Sequence, residues 1–235
     1  MRPKAERYAL GRSVPEFKQA PRAIDEPSQS PMTSLLTFSE IQQKVRQRWG
    51  DALTQFPEFE VYIPSAPTRE AAIQLLDAVE TEFELRLPQS FREAAAEWDL
   101  GRLELPGFPF ASDGDYLARL RRLNAAVPGL EWWGDRDEPA RPADLLAIAH
   151  GDPFMTLLDT RTGEIYAHAV DDGSANTQLV APSLDMLLRA VGTCYLQSKV
   201  ANDPNGLAEG VVTELATPSG RPFWRELATM WADLK

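Results

Sequence analysis

Two periodicities run through this chain and divide it into helical and extended stretches. Between Phe38 and Trp49, apolar Ile41, Val45 and Trp49 recur at every fourth position, which predicts a helix ending at Gly50. In residues 59–64, Phe59, Val61 and Ile63 alternate with Glu60 and Tyr62, a strand pattern stopped by Pro64. Thr68 is placed to cap a helix from Arg69, with Glu70 in its first turn and Ala72, Leu76, Val79 and Phe83 as its buried stripe. Leu87-Pro88 interrupts that helix, because proline has no amide donor and disfavours helix at the residue before it. A second short helix then puts Phe91, Ala95 and Trp98 on one face, and Gly101 closes the region.

Residues 101–114, rich in Gly and Pro, read as a loop, and 115–125 as a helix through Tyr116, Leu117, Leu120 and Leu123. Pro128–Pro142 has no period. From 145 to 181 the pattern is that of a meander: Leu145–Ala149, Phe154–Asp159, Glu164–Val170 and Gln178–Ala181, with turns at Thr160–Gly163 and Asp171–Gly173. Ser183 caps a helix carrying Leu184, Leu187, Leu188 and Val191. Residues 199–220 read as turns around Asp203-Pro204-Asn205-Gly206. A last amphipathic helix has Pro222 in its first turn and Phe223, Leu227, Trp231 and Leu234 on its apolar face. Helices, then a meander, then helices imply an α+β fold in which helices pack on an antiparallel meander sheet.

Composition adds a division. Residues 1–31 hold five prolines, six basic and four acidic residues, and few large apolar ones. They read as a disordered arm extending to residue 37, with 38–235 as one domain. A basic arm that docks a partner and an over-extended gene start are the alternatives. The whole chain has 235 residues and a net charge of −11, so the 204 residues after the arm carry −13. That balance argues against nucleic-acid binding, which needs a basic face, and suits a basic protein partner or simple solubility. One cysteine excludes an internal disulfide framework and fits a reducing, cytoplasmic setting. The chain contains no run of about 18 apolar residues that would cross a membrane.

Chemical motifs are sparse. His150 and His168 lack any metal-binding spacing and read as solvent-facing or hydrogen-bonded side chains. Cys194, beside Val191, Tyr195 and Leu196, reads as a buried thiol. The chain carries no Gly-x-Ser-x-Gly elbow and no glycine-rich phosphate loop, and Asp171–Asn176 lacks the alternation of a calcium loop. Thirty-five acids make some carboxylate pair inevitable, so a glycosidase pair carries no signal. Trp132-Trp133, among Glu131, Asp135, Asp137 and Glu138, has two readings. Aromatic anchors ringed by acids suit a protein interface, and a tryptophan pair also suits a plug for the core.

Three stretches together resemble the SUKH superfamily, which includes fungal cell-wall-synthesis regulators and many bacterial toxin-immunity proteins. Residues 76–107 are similar to its opening helix, Leu-Pro step (Leu87-Pro88), second helix with Phe91-Arg92-Glu93, and glycine turn at Gly101. Residues 145–172 resemble its meander, with Gly151-Asp152, Asp159, and Gly163 before Ile165-Tyr166. Residues 179–192 resemble its closing strand and helix through Ala181, Ser183 and Leu187-Leu188. The likeness covers about residues 69–192. The chain departs from the pattern in having one glycine before the meander strand, Glu97-Trp98-Asp99 where Asn-Gly is common, and extra segments at 38–64 and 199–235.

The resemblance implies a SUKH-like fold with extra N- and C-terminal helices, and a non-enzymatic binding domain without catalytic residues, cofactor or metal. The expected function is that of an immunity protein occupying a basic toxin, often a nuclease, with no direct contact to nucleic acid or membrane. The residues expected to meet that toxin are Trp132, Trp133, Asp135, Asp137 and Glu138, with Asp113 and Asp115 as a second patch. The alternatives are a regulatory or scaffold protein like the fungal branch and, last, a hydrolase whose titratable groups would converge in a pocket.

Overall fold

The computed structural model describes residues 34–56, 60, 63–105, 108–110, 114–127, 131–133, 140–198 and 200–233. The arm expected over 1–37 therefore lies outside the described residues up to 33. Residues 34–37 are docked: Leu35 is buried, the Leu36 N–H donates to Thr193 Oγ1 at 2.9 Å, and Arg189 donates to the carbonyls of Leu35 and Leu36.

Thr37 opens the first helix, α1 (Phe38–Gln55), through a capping box. Its Oγ1 accepts from the Glu40 N–H, and the Glu40 carboxylate accepts from the Thr37 N–H at 2.8 Å. The helix continues past Gly50, where an end was expected. An exposed helical glycine costs only about 1 kcal/mol against alanine, and Leu53 beyond it still packs on the core. Of the strand expected over 59–64, residues 59, 61 and 62 lie outside the described residues. At its described end Ile63 donates to the Glu60 carbonyl, which is a turn contact and not an extended one.

Helix α2 (Arg69–Glu82) starts at Thr68, whose Oγ1 accepts from Ala71, and buries Ala72, Leu76 and Val79 as its period predicts. Glu84 follows in the left-handed region at φ 51°, and the Leu85 N–H closes back onto the Glu80 carbonyl. Pro88 then precedes α3 (Gln89–Glu97). The Glu80 carboxylate, its side chain only 10% exposed, ties this joint together. It accepts from the Leu87 N–H at 2.9 Å, Arg92 at 2.7 Å and Arg86 at 3.1 Å.

Residues 101–114 are not wholly loop: β1 (Glu104–Leu105) pairs with β2 (Phe108–Pro109). After α4 (Tyr116–Leu123) comes the main sheet. Its strands are β3 (Leu145–His150), β4 (Phe154–Asp159), β5 (Ile165–Ala169) and β6 (Gln178–Ala181), in spatial order β3-β4-β5-β6 with every pair antiparallel. The fold is thus α+β, as the periodicities imply. In the β4–β5 turn the Asp159 carboxylate accepts from the N–H groups of Arg161 and Thr162, and Gly163 adopts φ +84°.

On the inner face of the sheet, Leu146, Ile148, Phe154, Leu158, Ile165 and Ala167 join the main core. Against them lies α5 (Leu184–Ser198), begun by the Ser183 hydroxyl accepting from Met186. No residue of it is exposed, and it is surrounded, with α1, α3 and two later helices packed around it and only the Asp185–Arg189 ion pair marking a polar stripe. Gly192 permits the α1 contact, because a Cβ there would sit 2.6 Å from Ile41 Cδ1.

The turn expected over 199–220 is mostly helix: α6 (Pro204–Leu215), followed by a 3-10 turn at Pro218–Gly220 and α7 (Arg221–Asp233). Pro204 occupies the first helical turn, where its missing N–H costs nothing. Leu207, Val211, Val212 and Leu215 supply the buried stripe. Phe223, Leu227 and Trp231 are buried on α7 as predicted, and Leu234 lies outside the described residues.

Candidate functional site

The expected contact residues separate into three groups. Trp132 and Trp133 stack edge to face at 5.3 Å and are only 7% and 3% exposed. They lie on the outer face of the sheet against Ala147 and Leu157, so both are core plugs and present no surface to a partner. Asp115, expected in the second patch, is the N-cap of α4, where its carboxylate accepts from the Ala118 N–H at 2.8 Å. Its position just before an apolar helical run was the signal for that role. Asp113, Asp135, Asp137 and Glu138 lie outside the described residues.

Both edges of the sheet are closed by side chains. On the β3 edge, four carbonyls each accept from a different side chain. Arg141 donates to Leu145, Asn124 to Ala147 at 2.8 Å, Tyr116 to Ile148 at 3.0 Å and Arg119 to His150 at 3.0 Å. Asn124 also accepts from the Ala147 N–H, completing a strand-like pair. On the β6 edge, Trp224 and Thr217 donate to the Val180 carbonyl, and Ser219 donates to that of Leu179. Gly220 makes this possible, since a Cβ there would stand 2.7 Å from the Leu179 oxygen. Open edges invite another strand, and these two are occupied, so strand addition to the main sheet is blocked.

The outer face remains. Cross-strand register sets Ala147, Leu157, Tyr166 and Leu179 in one row and Met155 with His168 in the next. The tryptophans bury Ala147 and Leu157, while Met155, Tyr166 and Leu179 are half-buried. At the β4–β5 end stand Asp144 and Glu164, the latter accepting from the Tyr166 hydroxyl at 2.9 Å. At the opposite end the turns carry exposed Asp152, Asp171 and Asp172.

The other reactive groups are buried or half-buried. His168 is 5% exposed, so the solvent-facing reading does not hold for it. His150 is held below the usual imidazole range by partial burial and by Arg119, with Asp152 opposing. Burial pushes the Cys194 thiol up to about 12. Among the described residues no group of three or more His, Cys, Asp or Glu side chains is arranged to hold a metal ion, and no helix is long and apolar enough to cross a membrane. No protein-family model matches the chain, and no curated protein or solved structure matches it either.

Proposed function

We propose that this chain is a non-enzymatic, SUKH-type binding domain that works in the cytoplasm as an immunity protein, occupying a basic toxin and so blocking its action. One observation carries the reading: the three stretches that resemble the family are packed on one another, and two of the three contacts that join them are made by residues that carry the resemblance. Gly163 of the meander comes so close to the Leu87-Pro88 joint that a Cβ on it would lie 3.3 Å from Pro88 and 2.5 Å from Ser90 Oγ. Trp98 at the end of α3 donates to Asp185 in the first turn of α5 at 3.3 Å. Ile165 pairs with Ala181, joining the meander to its closing strand. The acidic surface favours a basic partner by steering its approach.

The test is capture with the tagged full-length chain from its native host, at low and moderate salt, with mass spectrometry of what stays bound. The expected result is one stoichiometric basic protein, encoded beside this gene, whose toxicity is relieved when the two are expressed together. Several sub-stoichiometric host proteins would instead favour a regulator or scaffold, and retention of nothing would refute the binding-domain reading.

A further inference from the structure

We infer that the basic partner docks on the outer face of the sheet, over Met155, Tyr166 and Leu179, a surface assignment that rests on the binding-domain reading above. Three observations converge on this face. The inner face of the main sheet is filled by α5 and α7, both of its edges are plugged, and α4 reaches the β3 side of the outer face through Leu123, so among the described residues the β5–β6 half of the outer face is the part of this sheet with no helix packed on it. On its β5–β6 half Tyr166 pairs with Leu179, which packs against neither core cluster, while His168 in the next row is buried. Within residues 144–182 six acids stand against a single base, Arg161, which sits 3.7 Å from the mostly buried Asp159, and the two further bases bonded to the sheet, Arg119 and Arg141, lie at the β3 edge, across the sheet from the β5–β6 half. Asp144, Asp152, Glu164, Asp171 and Asp172 form no ion pair among the described residues.

The topology places those carboxylates in two groups, at opposite ends of strands five to six residues long. At about 3.3 Å per residue the groups stand roughly 17–20 Å apart, with the apolar strip between them. An apolar centre with a charged rim is the anatomy of a specific interface. The occupant it fits is a protein segment with an apolar or aromatic middle and Lys or Arg at each end. A second copy of this chain is disfavoured, since the same carboxylates would face each other.

The photo-crosslinking residue p-benzoylphenylalanine, placed at Tyr166 or Leu179 of the full-length chain and at Glu226 on α7 as control, tests this in the native host. The expected result is one adduct, to the same basic protein, from positions 166 and 179 and none from 226. Charge reversal by Glu164→Lys with Asp172→Lys, in otherwise wild-type chain with unchanged thermal unfolding, should slow association at low salt by about tenfold or more, with the difference shrinking as salt rises. A stoichiometric partner that is captured but crosslinks only at 226, or at none of the three positions, overturns the surface and leaves the proposed function standing. Adducts to acidic proteins or to lipid overturn it as well. Absence of any captured partner overturns both.

Discussion

Replacing Gly163 by alanine should cost the protein about 3 kcal/mol, and the structure says why. Gly163 sits at φ +84° in the β4–β5 turn, a conformation that costs an L-residue about 1–2 kcal/mol. Its new Cβ would also lie 2.5 Å from Ser90 Oγ, which would have to rotate away, and 3.3 Å from Pro88 Cβ, a tight contact. Relieving such overpacking costs about 1–3 kcal/mol. Against these stands the stiffer unfolded chain, which returns about 0.4–1 kcal/mol. Urea unfolding followed by tryptophan fluorescence would show the loss as a lower midpoint at unchanged slope, or as a fall in Tm of about 6–12 °C for a chain this size. The double variant Gly163→Ala with Ser90→Ala separates the terms. Removing Oγ should restore the steric part and leave the backbone part of about 1–2 kcal/mol. A Gly163→Ala cost below about 0.5 kcal/mol would mean that the turn is not pinned to the Pro88 joint, and the contact that unites the family-like stretches would lose its weight.

Other consequences follow from single groups. Asn124→Ala leaves the Ala147 N–H and carbonyl at the β3 edge without their partner and should cost about 2–3 kcal/mol in urea unfolding; sedimentation should also show self-association through the unplugged edge, and an unchanged monomer of unchanged stability would refute the plug. Glu84→Gly relieves the left-handed backbone at an exposed position and should raise stability by about 0.5–1 kcal/mol after the entropy of the more flexible unfolded chain is counted; a loss would contradict the strain. Glu80 is partly desolvated, which pulls its carboxyl up, yet the Leu87 N–H and the arginines Arg92 and Arg86 outweigh that and hold it below its ordinary value. Its contribution is therefore present above the unfolded carboxyl range near pH 4.3 and is lost as pH falls through the depressed folded value. The stability gap between wild type and Glu80→Gln should be constant from pH 7 to about pH 5 and narrow below pH 4; a gap that widens on acidification would reverse the sign of the argument.

Local periodicity made the sheet and six of the seven helices readable, all but α6, because each strand's alternation and each helix's stripe is fixed by which side meets the core. Two glycine signals misled. Gly50 lies inside α1, and Gly206 lies inside α6, where the missing Cβ lets the Asp203 carboxylate come within 2.6 Å of its position. Asp203-Pro204 resembled the start of a turn and is the start of a helix, and the spacing of Leu207, Val211 and Leu215 already carried that information. The edge plugs could not be read from sequence. They join residues far apart, 32 positions between Tyr116 and Ile148 and 44 between Val180 and Trp224, and nothing local marks a tyrosine or tryptophan for a distant carbonyl.

The tryptophan pair shows most sharply where sequence reasoning stops, and a single variant distinguishes its two readings. An aromatic pair among acids looks the same whether it anchors a partner or closes a core; only burial decides. Trp133 meets Trp132 edge to face and covers Ala147 and Leu157, two residues that would otherwise share the exposure of Tyr166 in the same row. Its truncation in Trp133→Ala removes that cover and opens a cavity, at a cost of about 3–5 kcal/mol. A binding anchor behaves differently: its removal weakens the complex by 2 kcal/mol or more on the scale of known hot spots and leaves unfolding unchanged. Urea unfolding of Trp133→Ala, with partner capture repeated at a temperature where the variant is still folded, separates the two. Marked destabilisation with capture retained in the folded fraction is the expected result. Intact stability with capture abolished would return Trp133 to the interface, in place of the β5–β6 half of the sheet, as the surface that meets the captured partner.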